Sequence, residues 1–124
     1  MAKILFIDDD TNTLELMGKI SQILGHQAIT CPQADLAVQY ALQDHPDLIM
    51  VDINMQEFNG FDVVRQLRQY ITQSETPILI LSASDPNEDT NQALAAGASG
   101  YLPKPLTIDG LNQVLEKYNH IHSH

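Results

Sequence analysis

Asp8, Asp9, Asp52, Ser82 and Lys104 carry the groups in this chain that could act together on a charged oxyanion. Asp8, Asp9 and Asp10 close the stretch "KILFIDDD", directly after the four apolar residues Ile4 to Ile7. Carboxylates that close repel one another; at about 5 Å and an effective dielectric of about 20, each pair costs roughly 3 kcal/mol. Solvent at a strand end offsets part of this. A hard divalent cation, most simply magnesium, offsets the rest. With such an ion in place, one carboxylate can serve as nucleophile toward a phosphoryl group. The equatorial oxygens of the transferred group then need positive or donor partners, and a metal, an ammonium and a hydroxyl make the right set.

The elements that must bring these groups together are visible as apolar runs. "ILFI" (4–7), "DLIMVDI" (47–53) and "PILILS" (77–82) have strand length, joined by "QAITC" (27–31) and the weaker "GYLP" (100–103). The runs at 4–7, 48–51 and 78–81 are continuous rather than alternating, which predicts strands buried on both faces, hence parallel and covered by helices. Helical spacing lies between them. Leu16, Ile20, Ile23 and Leu24 form one face, with Asp9 or Asp10 as the cap and Gly25 as the stop. Leu36, Ala37, Tyr40 and Ala41 repeat the spacing, and Phe61, Val64 and Leu67 follow the turn "NG" at 59–60. Residues 87–96 are rich in alanine and end at Gly97; Leu111, Val114, Leu115 and Tyr118 make a last helix from near Asp109. Five βα units in succession predict an open, doubly wound α/β sheet.

In such a sheet, chemistry gathers beyond the carboxyl ends of the strands, at the switch point. The first strand delivers Asp8, Asp9 and Asp10 there, the third Asp52, the fourth Ser82, and the fifth, followed by "PKP", Lys104. Asp10 fits a helix cap better than a ligand.

Composition narrows the function classes. The 124 residues fit one domain with a proper core, and 44% of them are hydrophobic. Sixteen acids against six Lys and Arg leave a net charge of −10, which disfavours nucleic acid and anionic membrane surfaces as partners. Cys31 is the single cysteine, so there is no internal disulfide. No apolar stretch reaches membrane-span length and the start "MAKILF" lacks a secretory signal, so a cytoplasmic location is expected. His26 and His45 are expected on surface loops, and the tail "NHIHSH" as a frayed end.

The segments "ILFIDDD", "LIMVDINM", "NGFD", "ILILSAS" and "AGASGYLPKPL", in that order, resemble the receiver domain of two-component response regulators of the chemotaxis-regulator type. The resemblance runs from about residue 3 to residue 118, placing a receiver domain at 1–119 and a tail at 120–124. It implies a flavodoxin-like (βα)5 fold with strand order 2-1-3-4-5. It also implies phosphorylation by a histidine kinase or a histidine phosphotransfer protein, and a conformational relay to an unknown downstream target protein.

By position, the resemblance makes Asp52 the phospho-acceptor. Asp8 and Asp9 match the acidic pair that holds Mg2+, Asp9 directly and Asp8 largely through water, and the main-chain carbonyl of Asn54 completes the protein ligands. Ser82 matches the switch hydroxyl, Lys104 the lysine that pairs with the phosphoryl group, and Tyr101 the aromatic switch. The Lys104–Pro105 bond matches one commonly kept cis, and X-Pro is where a cis bond is cheap. Ser84 borders the pocket. The family usually has proline after the methionine of "DINM"; Gln56 stands there, so a less stiff loop is expected after Asp52.

Two other readings compete. A phosphatase of the haloacid-dehalogenase class also ends its first strand in a D-x-D pattern, which Asp8 and Asp10 partly fit; it leaves Asp52 unexplained and requires a later acidic pair. A receiver that binds partners without phosphorylation would not need all five key residues. For the kinase docking surface, the spacing of Leu14, Met17 and Ser21 suggests a second line on the first helix, rotated away from the core stripe.

Overall fold

The computed structural model of the chain describes residues 2–83 and 86–119. Its elements follow the predicted alternation: β1 (Lys3–Ile7), α1 (Thr11–Ile23), β2 (Gln27–Cys31), a 3-10 turn (Ala34–Leu36), α2 (Ala37–Asp44), β3 (Leu48–Asp52), α3 (Gly60–Arg68), β4 (Ile78–Ser82), α4 (Pro86–Ala96), β5 (Gly100–Pro103) and α5 (Ile108–Asn119). The five strands form one parallel sheet in the order β2-β1-β3-β4-β5. The chain reverses its direction of travel between β1 and β3, and this is where a crevice opens at the carboxyl edge.

Strand alternation explains why the central runs are apolar throughout. Successive side chains point to opposite faces. Leu5, Ile7, Ile49, Val51, Ile78 and Ile80 pack on one side against α2, α3 and α4, through residues such as Ala41, Val64, Leu67 and Ala93. Ile4, Phe6, Leu48, Met50, Leu79 and Leu81 pack on the other, against α1 and α5 through Leu14, Met17, Leu111 and Val114. The edge strands β2 and β5 carry the partly exposed residues that periodicity made weaker.

Helix α1 departs from the predicted face. Leu14, Met17 and Ser21 are buried, at 4%, 2% and 0% exposure, whereas Leu16 and Ile23 stand 48% and 68% exposed. Leu14, Met17 and Ser21 are therefore core residues rather than an exposed line, although Met17 also borders a surface groove; of the predicted stripe, Ile20 is buried and Leu24 half-buried. Two apolar stripes compete on this helix, and Ser21 lies on the buried one. Its hydroxyl donates to the carbonyl of Met17 at 2.8 Å, so a buried serine leaves no unmet polar group. Asp10 caps α1, its carboxylate accepting from the Asn12 N–H at 3.0 Å and the Thr13 hydroxyl at 2.9 Å. These hydrogen bonds, from Thr13 first, hold its pKa below the ordinary value.

Among the described residues, no helix is long and apolar enough to cross a membrane. Ser84 and the tail from residue 120 lie outside the described residues.

Candidate functional site

The carboxyl ends of β1, β3, β4 and β5 meet at one rim. Asp8 leaves β1 and Asp52 ends β3, and both are buried. Asp9 follows Asp8 but reaches solvent. One carboxylate oxygen from each of the three lies within 4.8 Å of the others. Lys104 directly follows β5, just before a cis Lys104–Pro105 bond, and puts its ammonium 3.0 Å from Asp52 Oδ1 and 3.3 Å from Asp8 Oδ2.

The cluster carries three carboxylates against one ammonium. Burial pushes the Asp8 pKa up to about 6, with the charge of Asp52 adding to it; the N–H of Asp10 and the Lys104 ammonium pull the other way. Burial also works against the charge on Lys104, but the hydrogen bond and charge of Asp52, together with Asp8, outweigh it and raise its pKa. A carboxylate donor set with surplus negative charge is what a hard divalent cation takes, so the residues fit one.

Backbone geometry fixes most of these groups. The Asp10 N–H donates to Asp8 Oδ1 at 3.0 Å, and the Asn54 N–H to Asp52 Oδ1 at 3.3 Å. The loop after β3 folds back on itself through an Asn54–Asn59 bridge and a bond from the Gly60 N–H to the Ile53 carbonyl at 3.1 Å. Gly60 is required there: a Cβ would meet the Asp52 carbonyl oxygen and lie 2.6 Å from Ile53 Cα. Asn59 caps α3, accepting from the Phe61 N–H at 2.8 Å.

Ser82 ends β4, fully buried at the same rim. The Tyr101 hydroxyl lies 3.5 Å from its carbonyl oxygen, the long limit of a hydrogen bond. The structure thus brings together Asp8, Asp9, Asp52 and Lys104, with Asn54 on the adjoining loop. It gives no support to the D-x-D arrangement of the phosphatase reading, because the Asp10 side chain is turned onto the helix it caps.

One contact was not foreseen. The Gln56 N–H donates to Asp9 Oδ2 at 2.8 Å. The sequence held a hint, since a residue other than proline at 56 restores a donor that proline lacks.

Comparison with known proteins agrees with this geometry. A family model described as the response regulator receiver domain matches residues 4–116. PilH of Pseudomonas aeruginosa is 32% identical over 111 residues, covering 90% of this chain and 92% of PilH. The transcriptional regulatory protein KdpE of Mycobacterium tuberculosis is 33% identical over 109 residues, which is 88% of this chain. This chain spans 47% of the length of KdpE, less than half of that relative. Among solved structures, the chemotaxis protein CheY4 of Vibrio cholerae superposes with a TM-score of 0.85 at 30% identity, covering 95% of this chain and 98% of that one. The BeF3-activated receiver domain of Klebsiella pneumoniae RstA does so with a TM-score of 0.84 at 26% identity, covering 94% and 97%. With an acidic pocket of Asp8, Asp9 and Asp52 at the switch point of a 2-1-3-4-5 sheet, this chain belongs to the response regulator receiver domains, the signalling modules of two-component systems.

Proposed function

We propose that this receiver accepts a phosphoryl group on Asp52, from a phosphohistidine of a histidine kinase or phosphotransfer protein, in the cytoplasm. The observation that carries the reading is the position of the Asp52 carboxylate. It is buried at a strand end, 3.0 Å from the Lys104 ammonium and within 4.8 Å of two further carboxylates. In the transfer, an Asp52 oxygen attacks phosphorus as the phosphorus–nitrogen bond to the donor imidazole breaks. The imidazole leaves with the bonding pair and an acyl phosphate forms. Hydrolysis removes the group: water attacks phosphorus, the bond to Asp52 breaks with its electron pair left on the carboxylate, and inorganic phosphate carries away the water's oxygen and protons.

Asp8 and Asp9, Asp52 itself and the main-chain carbonyl of Asn54 are the groups that would hold Mg2+. When bound, the ion supplies positive charge to the phosphoryl oxygens. Lys104, already on Asp52, moves its charge to the new phosphoryl group. The Ser82 hydroxyl donates to it, and Tyr101 follows Ser82 as the readout at β5. The nearness of the Tyr101 hydroxyl to the Ser82 carbonyl supports this pairing.

The donor histidine has to reach this rim, and an apolar groove lies next to it. Thr13, Leu16, Met17, Ala83, Lys104, Pro105 and Leu106 line a cavity of about 250 Å3. It suits the helix that carries the donor histidine, because it joins an exposed leucine of α1 to the lysine of the pocket. Of the Leu14, Met17 and Ser21 line this surface keeps Met17, while Leu14 and Ser21 are core.

The test of the acceptor is labelling by a small acyl phosphate in Mg2+. Asp52→Asn keeps the shape but removes the nucleophile, and is expected to abolish stable labelling with an unchanged circular-dichroism spectrum. Full labelling of the variant would move the acceptor elsewhere.

A further inference from the structure

We propose that the main-chain N–H of Gln56 positions Asp9 for the metal, making residue 56 a positioning residue of the phosphotransfer site. The inference rests on the metal reading above. Asp9 differs from its two partners: Asp8 and Asp52 are buried and bound to Lys104, whereas Asp9 is exposed. An exposed carboxylate next to two others is driven outward by repulsion and by hydration. It nevertheless keeps an oxygen within 4.8 Å of both. The Gln56 N–H, 2.8 Å from Asp9 Oδ2, is the group that holds it there.

The donor is itself well supported. Gln56 sits near the tip of a loop closed by the Asn54–Asn59 bridge and by the Gly60 to Ile53 bond at 3.1 Å. Ile53 is in turn fastened to β4 through its N–H on the Leu81 carbonyl at 3.1 Å. One Asp9 oxygen accepts from this loop, and the other stays available to a cation. Hydrogen-bond partners of ligating carboxylates act in this way, by fixing the orientation of the ligand. The loop is therefore tied to Asp9 by a bond that proline at 56 could not make.

The bond belongs to the backbone, so side-chain truncation and proline substitution separate the possibilities. Titration calorimetry with MgCl2 would compare the parent with Gln56→Ala and Gln56→Pro. Gln56→Ala keeps the N–H and is expected to bind Mg2+ as the parent does; Gln56→Pro is expected to bind about tenfold more weakly. Equal affinity in the proline variant would overturn the proposal, and so would equal weakening in both variants. A parent chain that took up no Mg2+ would instead break the metal reading on which this one stands. Amide hydrogen exchange gives a readout that does not depend on the proline variant folding. The Gln56 amide of the metal-free parent is expected to be protected and to lose protection in Asp9→Ala. A Gln56 amide that exchanges as fast in the parent as in Asp9→Ala would overturn the proposal equally.

Discussion

At the residue scale, Asp8 links the chemistry of the pocket to the stability of the fold. Its carboxyl is shifted from 3.8 to about 6, first by burial and then by the charge of Asp52. A raised pKa means that the folded state binds the proton more tightly than the unfolded chain does. The resulting stability is fully present below about pH 4 and is lost as pH rises through about 6; a shift of this size is worth up to about 3 kcal/mol. Metal-free protein is therefore expected to melt lower at pH 7 than Asp8→Asn, by on the order of 10 °C, with the two converging toward pH 4. Parallel melting curves in chelator across that range would show that Asp8 carries no such cost. The acids themselves were legible in the sequence, because a run of aspartates ending an apolar strand is conspicuous. The partner of Asp9 was not: a main-chain N–H is common to every residue but proline, so only the path of the loop reveals where it points.

At the scale of elements, the central strands were legible because continuous apolar runs have one good explanation in a parallel sheet. The face of α1 was not, because both of its stripes are apolar enough and only packing against the sheet and α5 decides between them. A second feature invisible in the pattern is Arg68, at the carboxyl end of α3. Its guanidinium donates to the carbonyls of Gly97 at 2.7 Å, Thr72 at 3.0 Å and Thr76 at 2.8 Å, and to the Ser99 hydroxyl at 3.1 Å. It thereby ties α3 to the segment before β4 and to the turn between α4 and β5. Gly97, at φ 107, completes the site, since a Cβ there would lie 2.8 Å from Arg68 Cγ. Burial lowers the Arg68 pKa, and the partners are carbonyls and side-chain oxygens that would lose their donor together. Arg68→Met is expected to cost roughly 2–4 kcal/mol in urea unfolding, and Arg68→Lys a similar share, because one ammonium cannot span that fork. A lysine variant as stable as the parent would reduce Arg68 to a simple positive charge.

At the scale of the whole molecule, the order of the strands turns separate motifs into one site. Asp8, Asp52, Ser82 and Lys104 are far apart in sequence, and parallel strands point all of their carboxyl ends at the same rim. The same geometry limits where a phosphate donor can approach. With ten more negative than positive charges, the surface offers little general attraction to a phosphorylated partner, so the proposed docking calls on local apolar contact. The exposed Leu16 on the wall of the groove beside Lys104 is the residue placed to supply it. Leu16→Asp is expected to slow phosphotransfer from any histidine kinase that labels the parent chain, by about tenfold or more, while labelling of Asp52 by an acyl phosphate stays nearly unchanged. Leu14→Asp makes the contrast. Leu14 lies in the core against β1 and α5, so an aspartate there is expected to lower the melting temperature and to damage both routes together. If Leu16→Asp slowed both routes equally, or neither, the groove would not be where the kinase docks.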